Sequence, residues 1–167
     1  IANEAALKMG DLNAAGVIIS NKGNLLLKMD RKKAALNAFN EGKELKVKAG
    51  APTTSIAISN LNIGAAHLEL NQEEEALSYL NSALSIFEER NYTSGIAEVL
   101  PQRGALYNKQ AKYDLAIADC EKAKRLIDAI KVPELMSAAC ECLYEAYKSK
   151  GDFKSALDNY ERFTIAR

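Results

Sequence analysis

This sequence lacks a charge excess. Lys plus Arg number 22 and Asp plus Glu number 22 in 167 residues, so the formal net charge is zero. Nucleic-acid binders draw affinity from phosphate contacts and usually carry a basic surplus, so the balance disfavours RNA or DNA as partner. Long hydrophobic runs are missing too: none approaches the 18 or so residues a membrane helix needs, which excludes direct membrane contact by that route. Histidine is almost absent, with His67 the single example. No His-Glu-x-x-His pair, Gly-rich phosphate loop after a strand, or strand pattern occurs. These absences predict no enzyme, no cofactor and no metal. The acids of "QEEEA" (72–76) read as a helix start, where negative charge favours the dipole.

Cysteine is sparse and odd in number: Cys120, Cys140 and Cys142. An odd count favours reduced thiols and a cytoplasmic location. An extracytoplasmic location follows if the chain belongs to a membrane-bound sensor. Cys140 and Cys142 stand two apart on a predicted helix and make a poor metal pair, so all three are expected to be small core residues. No secretory signal is visible. The chain opens "IANEAALKMG" without an initiator Met, which predicts a piece of something longer.

What is present is repetition. Ala35, Ala76, Ala116 and Ala156 form a column of small residues 40 or 41 apart. Twelve residues before each stand Gly23, Gly64, Gly104 and Tyr144; three after those come Leu26, His67, Tyr107 and Tyr147. Four residues after each column alanine comes a further side chain: Phe39, Leu80, Cys120 and Tyr160. Between columns, apolar residues recur at spacings of three and four, the mark of amphipathic helices. Glycine within a helix weakens it by about 1 kcal/mol against alanine, so three at one register imply a close helix contact.

The periodicity predicts helix pairs at 12–28 with 31–48, 53–70 with 73–90, 94–110 with 113–130, and 134–150 with 153–167. Polar turns separate the members, and Asn71 with Glu74 reads as a capping box. Residues 1–10 read as the end of a preceding helix closed at Gly10, and "AGAPTT" (49–54) and Pro133 mark unit boundaries. The expectation is one array over 1–167 with units near 11–50, 51–91, 92–131 and 132–167. Pro101 inside a first helix removes a backbone hydrogen bond and predicts a kink. Tyr144 in the glycine column predicts a looser fourth pair.

The stretches "SNKGNLL…AALNAF", "LNIGAAH…EALSYL", "PQRGALY…LAIADC" and "CLYEAY…SALDNY" resemble the tetratricopeptide repeat (TPR) family over essentially the whole chain. The usual unit is about 34 residues. This one is similar to the long variety, found in Leu-Gly-Asn scaffolds, kinesin light chains and bacterial regulators. The ending "GDFKSALDNYERFTIAR" looks most like the last repeat of bacterial sensory segments of the histidine kinase or cyclase type. The resemblance implies an all-α superhelix of antiparallel helix pairs, an α-α solenoid of about four units plus a partial N-terminal helix.

The resemblance also implies a concave groove lined by the first helix of each pair, holding a peptide or partner helix. The groove residues would be Asn21 and Asn24 in the first unit, Leu61, Asn62 and Leu68 in the second, Gln102 and Asn108 in the third, and Glu141 and Glu145 in the fourth. A primary amide both donates and accepts, which suits an extended peptide backbone. Chaperone-tail binders of this family need a cationic clamp; here Ser20, Glu98 and Gln102 stand at those places, so acidic C-terminal tails are not expected to bind. The expected function is a protein-interaction module, the regulatory part of a bacterial signalling protein. The alternative is an assembly or homo-oligomerisation array with no peptide ligand.

Overall fold

The computed structural model describes residues 10–166. Among these residues the chain is all-α, with eight α-helices and no strand. They are α1 (Leu12–Lys28), α2 (Lys32–Lys48), α3 (Thr53–Glu69), α4 (Glu73–Glu89), α5 (Thr93–Lys109), α6 (Tyr113–Ile130), α7 (Met136–Ser149) and α8 (Phe153–Ala166), with a 3₁₀ turn at Pro133–Leu135 before α7. They follow the predicted pairs to within two residues at each start. The expected helix end at 1–9 lies outside the described residues.

A single backbone device sets the rhythm. Gly10, Asp30, Gly50, Asn71, Asn91, Ala111, Lys131 and Gly151 all have φ between 52° and 78°, one about every 20 residues. From Asp30 onward each follows a helix and turns the chain back. At the end of α1, the Arg31 N–H donates to Leu26 O and the Asp30 N–H to Leu27 O, both at 2.9 Å. The same pair recurs after α3, where Gln72 reaches His67 O and Asn71 reaches Leu68 O. These bonds satisfy carbonyls that a helix end otherwise leaves bare. The proposed capping box is thereby corrected: Asn71 closes α3 with its backbone at φ 56°, and α4 starts after it at Glu73.

The chain divides into two compact units, meeting between Ile86 and Phe87 within α4. In the first unit, Ile19, Leu26, Phe39 and Ile63 build a core with Ala35, Ala38 and Ala66, and Tyr79 packs on it. The glycine column works as expected. A Cβ at Gly23 would lie 2.7 Å from Phe39 Cδ1, and one at Gly64 would lie 3.0 Å from Leu80 Cγ. A second close approach escaped the column: a Cβ on Gly42 would meet Gly16 O at 2.8 Å, so α1 and α2 touch backbone to backbone.

In the second unit the core holds Ala116, Cys120, Cys142, Leu143 and Ala146. Here the reduced-thiol expectation is corrected, because Cys120 on α6 and Cys142 on α7 are joined as a disulfide. Both sulfurs lie over Gly104, whose missing side chain leaves them room. Cys140 remains a free, buried thiol. Pro101 is buried in α5, which runs helical through it. In the last pair the glycine contact is replaced by rings, with Tyr144 and Tyr160 centroids 5.2 Å apart.

Candidate functional site

Within each unit, the first helices of consecutive pairs lie side by side: α1 with α3, and α5 with α7. The predicted binding residues sit on these helices, but in different surroundings.

In the first unit, Asn21 and Asn24 are exposed on α1. Asn62 and Leu68 are half-buried on α3. Leu61 is corrected: at 3% exposure it is a core residue and presents no surface to a partner. The reason is that α3 is buried on several sides, through Ala57, Ser59, Asn60, Leu61, Ile63, Gly64 and Ala66, so apolar spacing does not single out one face. Val17 and Ile58 supply exposed apolar surface beside the amides.

Asn60 was not anticipated. It is 4% exposed, its Nδ2 donates to Ser82 Oγ at 3.0 Å, and its Oδ1 is buried without a protein partner. Ser20 also differs from a surface residue: it is buried, and its hydroxyl donates to Gly16 O at 2.8 Å. His67 is half-buried, stacks on Tyr79 at 5.4 Å between centroids and places Nδ1 2.8 Å from Gln72 Oε1. That is a packing role.

In the second unit, Gln102 and Asn108 are half-buried on α5, and each has a buried side-chain oxygen without a protein partner. Asn108 Nδ2 donates to Cys142 O at 2.9 Å, linking α5 to α7. Glu141 and Glu145 are exposed on α7, and Glu98 is exposed on α5. Desolvation by neighbouring atoms raises the Glu98 carboxyl above its ordinary range. Arg103, next to Gln102, points the other way: it donates from Nε to Asp119 Oδ2 at 2.7 Å and from Nη2 to Asp119 Oδ1 at 2.8 Å. Its guanidinium is committed to α6.

Residues 57–90 match the tetratricopeptide repeat family model. This TPR match covers α4 and most of α3. No curated protein sequence matches the chain. Among solved structures, the crystal structure of BtubC (BKLC) from P. vanneervenii is similar with a TM-score of 0.77 at 22% identity, over 94% of this chain. The chain spans 65% of that protein's length, just under two thirds. MamA is similar over 99% of this chain and 94% of its own, with a TM-score of 0.61 at 17% identity. TPR-like repeats of a Podosopora anserina protein assigned as a kinesin light chain give a TM-score of 0.58 at 13% identity, over 98% of this chain and 90% of that one. At such identities these likenesses speak for the TPR-like fold alone.

Proposed function

We propose that this chain is a protein-interaction module that takes an extended peptide or a partner helix on the faces of its first helices. The observation that carries the reading is the recurrence of primary amides two residues before the glycine column, at Asn21, Asn62 and Gln102. An amide can donate to the C=O of an extended backbone and, where its oxygen is open, accept from the N–H; the buried oxygen of Gln102 leaves that residue the donor role alone. Beside them the first unit offers apolar surface at Val17 and Ile58, and the second offers the carboxylates of Glu98, Glu141 and Glu145. The face of the first unit suits apolar anchors, and that of the second suits basic side chains, since complementary charge steers and selects partners. Binding of such a segment would regulate a larger signalling protein of which this chain is a part.

An acidic, carboxylate-terminated peptide is a poor match. Ser20 is buried, Arg103 is tied to Asp119, and Glu98 and Gln102 carry no positive charge. The test is a panel of labelled peptides graded from acidic to basic, titrated with the native chain and with an Asn21→Ala/Asn24→Ala/Asn62→Ala/Gln102→Ala variant of unchanged helicity. Basic, apolar peptides are expected to bind best, and the variant to weaken them at least about tenfold, near 1.4 kcal/mol. Preferential binding of the acidic peptides contradicts the reading.

A second reading, an assembly array, draws on a different observation. Phe153, Leu157 and Tyr160 line α8 at helical spacing and are 72%, 57% and 44% exposed. Contiguous apolar surface of this kind favours association. Mass measurement in solution, with Phe153→Glu/Leu157→Glu as control, separates the two readings. A native dimer that the control returns to monomer supports assembly.

A further inference from the structure

We infer that Cys120 and Cys142 form a redox-operated staple inside the Phe87–Arg167 unit, locking α6 to α7 when oxidised and releasing α7 when reduced. The inference does not depend on what the module binds.

At the position four residues after the column alanine, Phe39 packs on Gly23 and Leu80 packs on Gly64. Cys120 holds the same register opposite Gly104 but is far smaller. The missing volume is supplied by a second sulfur: a Cβ at Gly104 would meet Cys120 Sγ and, at 2.6 Å, Cys142 Sγ. The disulfide therefore does the packing that one large side chain does elsewhere. It also joins residues 22 apart, from the second helix of one pair to the first helix of the next.

Both redox states have a use for their atoms. In the oxidised state the sulfurs share a bond and fit together over Gly104. Reduction breaks the S–S bond, and the two sulfurs take two electrons and two protons from a dithiol, which itself becomes a disulfide. Unbonded sulfurs need more separation than bonded ones, so the two sulfurs over Gly104 move apart on reduction. The Cys142 thiol then has an acceptor in reach, Ala116 O at 3.7 Å. Movement of Cys142 shifts its carbonyl, which accepts the 2.9 Å hydrogen bond from Asn108 Nδ2. The staple thus bears on the α5–α7 face directly.

The third cysteine does not compete. Cys140 is fully buried, and burial raises its thiol above the ordinary range, which keeps it in the unreactive protonated form. Cys120 and Cys142 are themselves buried, at 0% and 4% exposure, so a dithiol reaches them through local opening of α7.

The test uses the full chain purified without reductant. Unfolded, it is expected to show one titratable thiol, and three after reduction, matching one bonded pair and one free cysteine. Dithiothreitol is expected to lower Tm by roughly 6–12 °C, the effect of opening a loop of this length in a chain of this size. It should also speed hydrogen exchange in α7 about tenfold or more. Cys140→Ser should keep this redox response. Cys120→Leu/Cys142→Ala, which writes the Leu80 pattern into the third pair but lacks the cross-link, should melt below the oxidised native chain and ignore reductant. Three free thiols in the air-purified chain, or identical melting and exchange in both redox states, would overturn the inference.

Discussion

Arg103 grips Asp119 through two parallel hydrogen bonds, at 2.7 and 2.8 Å, across the α5–α6 pair. The side chains are only 18% and 12% exposed. Removing one partner from such a pair strands a charge in a poorly solvated place. Asp119→Ala is therefore expected to destabilise the second unit by about 3 kcal/mol, while Arg103→Leu/Asp119→Leu loses clearly less. Urea unfolding of the native chain, Asp119→Ala and Arg103→Leu/Asp119→Leu measures this. Equal losses in single and double variants would contradict it.

The left-handed turns make a second prediction. Ala111 holds φ 55° and Gly151 holds φ 78° at equivalent helix ends. Glycine adopts this conformation without strain, whereas a Cβ is disfavoured there. Ala111→Gly is expected to stabilise by about 1 kcal/mol and Gly151→Ala to destabilise by about as much. Both are exposed turn positions, and nothing lies within 4 Å of a Cβ at Gly151, so thermal melting reads backbone strain rather than packing.

A glycine inside a helix behaves the opposite way. Gly23→Ala gains helix propensity of about 1 kcal/mol. Its Cβ would nevertheless run into the Phe39 ring, 2.5 to 2.9 Å away, in a buried core. Overpacking of that kind is worth about 1–3 kcal/mol and dominates. Gly23→Ala/Phe39→Leu, which imitates the Gly64–Leu80 pair, should recover part of the loss.

Helix boundaries were legible in the sequence because the repeat fixes them twice, by the small-residue columns and by the polar turns that precede Lys32, Glu73, Tyr113 and Phe153. What sequence spacing left hidden were relations between helices. Leu61 shares the apolar period of a partner-facing residue, yet packing on several sides of α3 buries it. Cys120 and Cys142 lie 22 residues apart, and only the crossing of α6 and α7 over Gly104 brings their sulfurs together. Arg103 and Asp119 look in sequence like ordinary surface charges. Asn21 and Asn24 were readable as exposed polar residues, but Asn60, with its buried oxygen, looks in sequence no different from its neighbour Asn62.

Lys46 supplies a pH test. It is 3% exposed, its Nζ lies 3.1 Å from Ser59 Oγ, and burial lowers its pKa below the ordinary 10.5. The unfolded chain then binds more protons than the native one between the lowered value and 10.5, so this residue's contribution to stability rises with pH across that window. Lys46→Met should be more stable than the native chain at neutral pH, on the order of 1 kcal/mol. The advantage should shrink as pH climbs toward 10.5. An advantage that stays constant with pH would mean that packing, not charge, sets it.

The central claim is that the amide-bearing faces of the first helices take the partner. The most direct measurement follows the side-chain amide resonances of Asn21, Asn24, Asn62 and Gln102 by ¹⁵N NMR during titration with a basic, apolar peptide. The account predicts saturable shifts at these amides and at the backbone around Glu141 and Glu145, with α8 unaffected. Shifts confined to Phe153, Leu157 and Tyr160 on α8, with the amides still, would contradict it and favour assembly.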